Sequence, residues 1–395
     1  MAGMVVKGGK VLLPQGFAET DILVRDGKIA RIEPAIEAAA NDVIVDGRGR
    51  IVTAGLADFH VHAFKHGHHI GLDVDELAPR TGVTTFVDAG SIGAIQFPAF
   101  RNFVIEQTPL NLFAYLNISV IGQTTSGISG LDFHDNDATA LINLPIAEEM
   151  IEKHRDLIKG IKVRVYTGMA DLYALEQARI LADRVKLPIL VHLGPAPPAA
   201  AETLALLKAG DIITHPYHGG EDTILDGNGD IRPEFLDARS RGVEVDLGMD
   251  RFHCDLRVMR RAFELGFYPD YVSTDLTLTN VNSITFDLPT TISKCVALGM
   301  SLEEALRRAT VTVADKLAVP GISARLEVGH TADIAVFTWE RSDEPLVDFF
   351  GNSLKNEYRL RNVATVLHGE LLAHRQTDIK LWDSTVRSVP WANYN

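Results

Sequence analysis

The sequence predicts an α/β protein, a (β/α)8 barrel with a small β-sandwich domain built from both termini. Short apolar strands alternate with helix-like segments through the middle of the chain, which favours a parallel sheet of βα units. Eight such repeats occupy about 260 residues, and a barrel of this type needs roughly 250. Strand-like segments with turn dipeptides lie at both ends of the chain.

The two ends of the chain, residues 1–54 and 321–395, are predicted to form one composite domain. Lys7-Gly8-Gly9, Asp26-Gly27 and Asp46-Gly47 are hairpin-type turn signals between short apolar segments. The same pattern of short strand-like segments occurs in "ARLEVGHTADIAVFTWE" and "VATVLHGELLAH" near the end of the chain. We therefore expect the two β-rich ends to pair in space as a β-sandwich.

Residues 55–320 are predicted to form the barrel. A doubly wound open sheet is the alternative, and a glycine fingerprint after the first strand would favour it, but none follows that strand. The eight predicted strands are "LADFHVHAF", "VTTFVDAG", "LFAYLNIS", "GIKVRVY", "LPILVHLG", "DIITHPY", "VEVDLG" and "YVSTDL".

Composition excludes several classes of function. The net charge is −14, from 38 basic and 52 acidic residues, and basic residues form no long run, which argues against nucleic acid or an anionic membrane as a partner. The two cysteines, Cys254 and Cys295, lack zinc-ribbon spacing. No signal peptide or transmembrane helix is expected. These observations predict a cytoplasmic protein.

Polar side chains are predicted at the carboxyl ends of the barrel strands, where the active site of such a barrel lies. Asp58, His60 and His62 share one face of the first strand because successive side chains alternate. Lys162 and Arg164 face the barrel interior by the same rule. Two imidazoles two positions apart are a weak signal alone, but the joint pattern predicts a shared metal centre. Its candidate ligands are His60, His62, Lys162, His192, His215 and Asp275.

Five histidines lie between residues 57 and 69, but only His60 and His62 are predicted ligands. His68 and His69 follow the strand and are expected in a loop. Lys65 or His66 is expected nearer to a substrate. The metal centre therefore depends on distant partners rather than on this histidine cluster.

These residues resemble the ligand set of the amidohydrolase superfamily. The resemblance is carried by "DFHVH", by the lysine of "GIKVR", by His192, His215 and Asp275, and by "VGHTADIAVF" near the end of the chain. Longer segments such as "IGLDVDELAPRTGVTTFVDAGSIGA" and "FDLPTTISKCVALGMSLEEALRRAT" resemble the dihydroorotase-like amidohydrolase/deacetylase branch.

The resemblance implies a binuclear metal site, with zinc as the expected metal. His60, His62 and Asp275 would hold the more buried ion, and His192 and His215 the second. Lys162 would bridge both ions as a carbamate formed with CO2, because an ammonium group cannot lie between two cations. A metal-bridging hydroxide would attack a carbonyl carbon, while Asp275 accepts its proton and passes it to the leaving group.

The substrate is expected to be a small molecule, contacted by Arg164, Tyr166, Tyr217, His218 and His253. Arg164 could hold a carboxylate. The sequence departs from the resembled family at two places that concern substrate contacts. Ala63 and Phe64 follow His62 where dihydroorotases carry an arginine. The segment "GMDRFHC" replaces the glycine- and serine-rich loop of the deacetylase-like branch.

Three hypotheses for the function remain open. The first is a deacetylase-like hydrolase of an N-acyl amide or acyl ester of a small acidic molecule. The second is a cyclic amidase or lactonase that opens a ring with the same hydroxide, as hydantoinases and dihydroorotases do. The third is a catalytically inactive scaffold, which the presence of all six ligands disfavours. Association into a homo-oligomer is compatible with each of the three.

Overall fold

The computed structural model describes residues 3–125, 139–166, 171–194, 200–281, 283, 285–322, 324–355 and 357–373. The strands are β1 (Met4–Leu13), β2 (Gly16–Arg25), β3 (Lys28–Glu33), β4 (Val43–Asp46), β5 (Ile51–Ala54), β6 (Leu56–Val61), β7 (Val83–Asp88), β8 (Asn111–Asn117), β9 (Ile158–Val165), β10 (Ile189–Leu193), β11 (Ile212–Thr214), β12 (Glu244–Asp246), β13 (Ile334–Arg341), β14 (Leu346–Val347), β15 (Ser353–Leu354), β16 (Tyr358–Leu367) and β17 (Glu370–Leu371). The helices are α1 (Val74–Thr81), α2 (Phe97–Phe103), α3 (Leu144–Lys153), α4 (Tyr173–Val185), α5 (Ala200–Ala205), α6 (Pro233–Ser240), α7 (Leu256–Glu264), α8 (Leu288–Ala297), α9 (Leu302–Arg308) and α10 (Val311–Leu317).

The middle of the chain forms a parallel sheet in which β6 to β12 lie side by side in chain order. The segment 271–276 makes parallel bridges to both edges of this sheet, Tyr271 to Asp246 on β12 and Leu276 to Val61 on β6. Helices connect most of the strands. This arrangement confirms the predicted α/β class and its parallel sheet.

Local sequence features account for two of the helices in this region. In α4 the residues Ala174, Leu175, Ala178, Leu181, Ala182 and Val185 are buried at helical spacing, so one stripe of the helix packs inward. In α7 the Asp255 side chain accepts from the backbone N–H of Arg257 and caps the first turn. Both helices match segments with a helical pattern in the sequence.

Strands from both ends of the chain form a second, mixed sheet in the order β17-β16-β13-β5-β1-β2-β3, with β4 also paired to β1. The antiparallel pairing of β13 with β5, which places Ile334 opposite Ala54, joins the two ends directly. A separate cluster of buried side chains that includes Val6, Ile22 and Val336 packs on this sheet. The predicted β-sandwich is not confirmed, because these terminal strands lie in one sheet. The domain boundaries stay a prediction.

The hairpin turns predicted in the first fifty residues have different outcomes. Asp26 and Gly27 form the turn between β2 and β3, with φ angles of 51° and 73°. Lys7-Gly8-Gly9 instead lies inside β1, where the pairing with β2 shifts between Val6 and Gly9 as in a β-bulge. Pairing along both halves of β1 overrides the local turn signal there. Asp46-Gly47 links two strands that both pair parallel to β1, so it is not a hairpin turn.

Candidate active site

Asp275 lies at the centre of a buried histidine cluster at the carboxyl ends of the parallel strands. Its Oδ1 atom is 3.3 Å from His60 Nε2 and 3.1 Å from His62 Nε2. Its Oδ2 atom is 3.6 Å from His215 Nε2 and 3.6 Å from His253 Nδ1. Each oxygen of one carboxylate therefore faces two imidazole nitrogens. The cluster thus contains two groups of possible metal ligands. The first group is His60, His62 and Asp275, and the second is His215, His253 and Asp275. Within each group the ligand atoms all lie within 4.8 Å of one another, so each group could hold a metal ion.

His60 and His62 are oriented by hydrogen bonds on the far side of their rings. His60 Nδ1 donates to Asp246 Oδ2 at 2.8 Å, and Asp246 also accepts from Ser273 Oγ at 2.5 Å. His62 Nδ1 is hydrogen-bonded to Ser91 Oγ at 2.8 Å. Such outer contacts fix the ring orientation of metal-ligating histidines. Both Nε2 atoms consequently point toward Asp275.

His215 follows β11 and is held in the same manner by a backbone carbonyl. Its Nδ1 donates to the oxygen of Gly248 at 2.9 Å, so Nε2 carries the lone pair that faces Asp275. That Nε2 atom is buried and has no hydrogen-bond partner among the described residues. Burial, followed by the proximity of His253, holds the pKa of His215 well below its ordinary value, which favours the neutral imidazole that a metal ligand requires.

Gly248 permits this arrangement because it has no side chain. Its φ angle is 54°, in the left-handed region that glycine adopts at little cost. A Cβ atom placed there would lie 2.5 Å from both Cε1 and Nδ1 of His215. The His215 ring therefore occupies the volume that any other residue would need at this position.

Lys162 lies on β9 and is fully buried beside the first group of histidines. Its Nζ atom is 3.5 Å from His60 Nε2. Burial lowers the pKa of Lys162 to about 8, so the neutral amine is more accessible than in an exposed lysine. Gly90 makes room for it, since a Cβ there would lie 2.4 Å from Lys162 Cγ.

His192 is the second-last residue of β10 and lies against the second group of histidines. Its ring centroid is 4.5 Å from that of His215 and 4.7 Å from that of His253. Burial holds the pKa of His192 well below its ordinary value. The structure thus brings together the side chains of all six residues that the sequence predicts as metal ligands.

The predicted substrate contacts are placed in different environments. Arg164 is half-buried on β9, with its guanidinium carbon 5.0 Å from the ring centroid of Tyr166. Tyr217 is buried, and its hydroxyl donates to the Phe267 carbonyl at 3.2 Å, so this side chain belongs to the core rather than to the histidine cluster. His218 is buried, and its Nδ1 accepts from the Gly220 amide at 3.2 Å. Of the predicted contacts, His253 lies beside Asp275.

Sequence reasoning gave no role to two buried aspartates that lie behind the cluster, Asp246 and Asp58. Asp246 ends β12, so the strand-end rule that selected His192 could have selected it too. Asp58 shares the inward face of His60, and its Oδ2 accepts from Thr274 Oγ1 at 2.6 Å. This contact ties β6 to the segment that carries Asp275, and burial raises the pKa of Asp58 to about 7.

His68 lies in the loop after β6, as expected, and it is buried there with its ring centroid 6.0 Å from that of His62. Neither of its ring nitrogens has a hydrogen-bond partner in the described part of the chain. His66, in contrast, is exposed. Alternation along a strand gives no information about side chains in the loop that follows it.

Comparisons with known proteins find relatives in sequence and in structure. No protein-family model matches the sequence. A deacetylase of Brucella anthropi is 31% identical over 341 residues, which are 85% of this chain and 83% of the relative. A deacetylase of Agrobacterium fabrum is 30% identical over 351 residues, 86% and 84% of the two chains. A crystal structure of a dihydroorotase superposes with a TM-score of 0.86 at 28% identity, covering 94% of this chain and 98% of that one.

The parallel sheet, the buried histidine cluster and these relatives define a hydrolytic enzyme of the metal-dependent kind. The chain belongs to the amidohydrolase superfamily. The family and the enzyme class predicted from the sequence are both confirmed.

Proposed function

We propose that this enzyme hydrolyses an N-acyl or O-acyl bond of a small acidic molecule, using two divalent metal ions, with zinc as the native metal. The observation that carries the proposal is the position of Asp275 between two sets of imidazole nitrogens. The deacetylases that resemble this chain over most of its length support an acyl substrate.

The residues present fit a metal centre. His215 Nε2 and Asp275 Oδ1 are buried without a hydrogen-bond partner among the described residues, and unpaired buried polar atoms are costly unless something binds them. Neutral imidazoles and a carboxylate are the ligands that zinc prefers. His60, His62 and Asp275 would hold one ion, and His192 and His215 the other. Lys162 would link the two as a carbamate formed with CO2.

Each chain residue has a defined task in the proposed reaction. Bound divalent ions would lower the pKa of a water molecule and polarise the carbonyl oxygen of the substrate. Asp275 would accept the proton of the attacking water and deliver it to the leaving group. Asp246 and Ser91 would hold the rings of His60 and His62 in place. Arg164, two positions after Lys162 on β9, would pair with a carboxylate of the substrate.

A ring-opening reaction is the second candidate, and the similarity to a dihydroorotase structure favours it. The chain has Ala63 and Phe64 after His62, and neither side chain can grip a carboxylate as an arginine would. We therefore rank dihydroorotase activity behind the hydrolysis of acyl substrates, and the hydrolysis screen below tests the other cyclic amides and lactones.

A hydrolysis screen tests the proposal. N-acetyl amino acids, acetylated hydroxy acids, hydantoins and lactones would be offered to the wild-type enzyme and to Asp275→Asn. We expect turnover of an acyl substrate that falls by at least about 100-fold in the variant, since a positioned proton-transfer group contributes about 10²–10⁴-fold.

Asp26→Asn is the matched control. Asp26 has the same φ of 51° as Asp275 but lies exposed in the turn between β2 and β3. It should keep wild-type turnover. Wild-type turnover by Asp275→Asn would remove Asp275 from the mechanism. Less than one metal ion per purified chain would favour an inactive scaffold instead.

The remaining proposals concern architecture and location. We infer that segment 271–276 takes the eighth position and closes the parallel sheet into a (β/α)8 barrel, because it bridges both edge strands. The boundaries of that barrel at residues 55–320 stay a prediction, as do a cytoplasmic location and association into a homo-oligomer. No helix in the described part of the chain is long and apolar enough to cross a membrane.

A further inference from the structure

His253 lies as close to Asp275 as the predicted ligand His215 does. Its Nδ1 atom and His215 Nε2 both lie 3.6 Å from Asp275 Oδ2. Both nitrogens are buried and without a hydrogen-bond partner among the described residues. The two rings stack with centroids 4.2 Å apart. Two unpaired nitrogens thus converge on one carboxylate oxygen.

The distances suit metal coordination better than hydrogen bonding. A separation of 3.6 Å is too long for a hydrogen bond between these atoms. Atoms bound about 2.0–2.1 Å from a tetrahedral zinc ion lie about 3.3–3.4 Å from each other. The first group of ligands has comparable separations, 3.1 Å and 3.3 Å from Asp275 Oδ1 to its two histidines.

A third imidazole lies beside this group. The ring of His192 lies 4.5 Å from that of His215 and 4.7 Å from that of His253, centroid to centroid. The ligand atoms of His215, His253 and Asp275 themselves all lie within 4.8 Å of one another, close enough to share one ion. His253 Nδ1 also lies 3.4 Å from Asp250 Oδ2, whereas the other oxygen of Asp250, Oδ1, accepts a hydrogen bond from Asn280 Nδ2 at 2.6 Å.

We propose that His253 is an additional ligand of the second metal ion, beside His192 and His215. The inference rests on the proposed metal-dependent function and extends its ligand set by a residue from the loop after β12. It replaces the role of a substrate contact that the sequence suggested for His253.

Metal binding tests this without any substrate. The purified protein would be stripped with a chelator and titrated with zinc and with cobalt(II), and affinities measured by competition with a chromophoric chelator. His253→Asn should bind the second ion at least about 100-fold more weakly, since even residues that only orient a ligand are worth about 10–100-fold in affinity. The first ion should bind as in the wild type.

His368→Asn is the matched control. It removes one imidazole from an exposed position between β16 and β17 with φ of 51°, a conformation that asparagine tolerates. Both of its metal affinities should equal those of the wild type.

His253→Cys provides a direct signature of coordination. A thiolate is itself a zinc and cobalt ligand, so this variant should recover the second ion and show a thiolate-to-cobalt charge-transfer band in the near ultraviolet. A role confined to packing or to substrate contact would not produce that band.

The outcomes separate the two proposals. Wild-type affinity for both ions in His253→Asn, or a cobalt-loaded His253→Cys without the band, would overturn the inference and leave the proposed function standing. A wild-type protein that binds less than one ion would overturn the proposed function, and the inference with it.

Discussion

Gly248→Ala is expected to damage the proposed metal centre through His215. The new Cβ would lie 2.5 Å from Cε1 and Nδ1 of His215 and 2.5 Å from Thr214 Oγ1. Carbon and nitrogen atoms in contact prefer separations of about 3.5–4.0 Å. The His215 ring must therefore move, and its hydrogen bond to the Gly248 carbonyl must lengthen or break.

Two costs add in this variant. The left-handed backbone at φ of 54° costs an alanine about 1–2 kcal/mol. Overpacking a buried site costs about 1–3 kcal/mol more. We expect the free energy of unfolding to fall by about 2–5 kcal/mol. Misdirecting the His215 ring should weaken metal binding by about 10–100-fold, as loss of an orienting contact does.

Gly266→Ala separates the two costs. Gly266 also has a positive φ, 78°, but a Cβ there would meet no described heavy atom within 4 Å. This control should lose only the backbone cost of about 1–2 kcal/mol and keep wild-type metal affinity. Urea unfolding in the presence of a chelator gives the stabilities, and chelator competition gives the affinities. Equal stability losses in both variants, with unchanged metal binding, would refute the steric argument.

Three further predictions follow from buried contacts. Asp246→Asn keeps the size of the side chain but weakens the charge-assisted hydrogen bond from His60 Nδ1, so zinc affinity measured by chelator competition should fall about 10–100-fold; unchanged affinity would mean that Asp246 does not orient His60. Zinc at a thousand times its Kd should raise the free energy of unfolding by about 4 kcal/mol for each bound ion relative to chelated protein, and denaturant curves that coincide with and without zinc would contradict a metal site in the folded state. Burial opposes the charge of Asp21, but hydrogen bonds from Lys7 and from the Ile36 and Gly8 amides lower its pKa below 3.8. The stabilisation from Asp21 is therefore complete above the pKa that Asp21 has in the unfolded chain, and it is lost as the pH falls through the lower pKa that Asp21 has in the folded protein. Asp21→Asn should lower the free energy of unfolding by about 1–3 kcal/mol at pH 7, and its difference from the wild type should shrink below about pH 4. Glu19→Gln, at an exposed position on the same strand, should match the wild type. Equal behaviour of the two variants would count against this network.

The predicted ligands were accessible from the sequence because each lies in or next to a strand. Alternation on β6 puts His60 and His62 on one face, and the carboxyl ends of parallel strands meet at one edge of the sheet. Those two rules brought His192, His215 and Asp275 into the set without any knowledge of distances. Where pairing competes with a local signal the rules fail, as at Lys7-Gly8-Gly9, because the energy of a ten-residue strand outweighs the preference of a turn tripeptide.

The strand rules could not predict where the side chains of the loop after β12 point, because loop residues do not alternate between two faces as strand residues do. Within it, the Gly248 carbonyl accepts from His215 Nδ1, and Cys254 Sγ lies 3.9 Å from the same carbonyl oxygen. His253, one residue before Cys254, carries its ring to 4.2 Å from that of His215. One loop therefore fixes the tautomer of the proposed ligand His215 and places a further imidazole beside it. We expect sequence changes in this loop to affect the proposed second metal position and the substrate contacts together, so substrate preference and metal affinity should vary together among variants of residues 248–254.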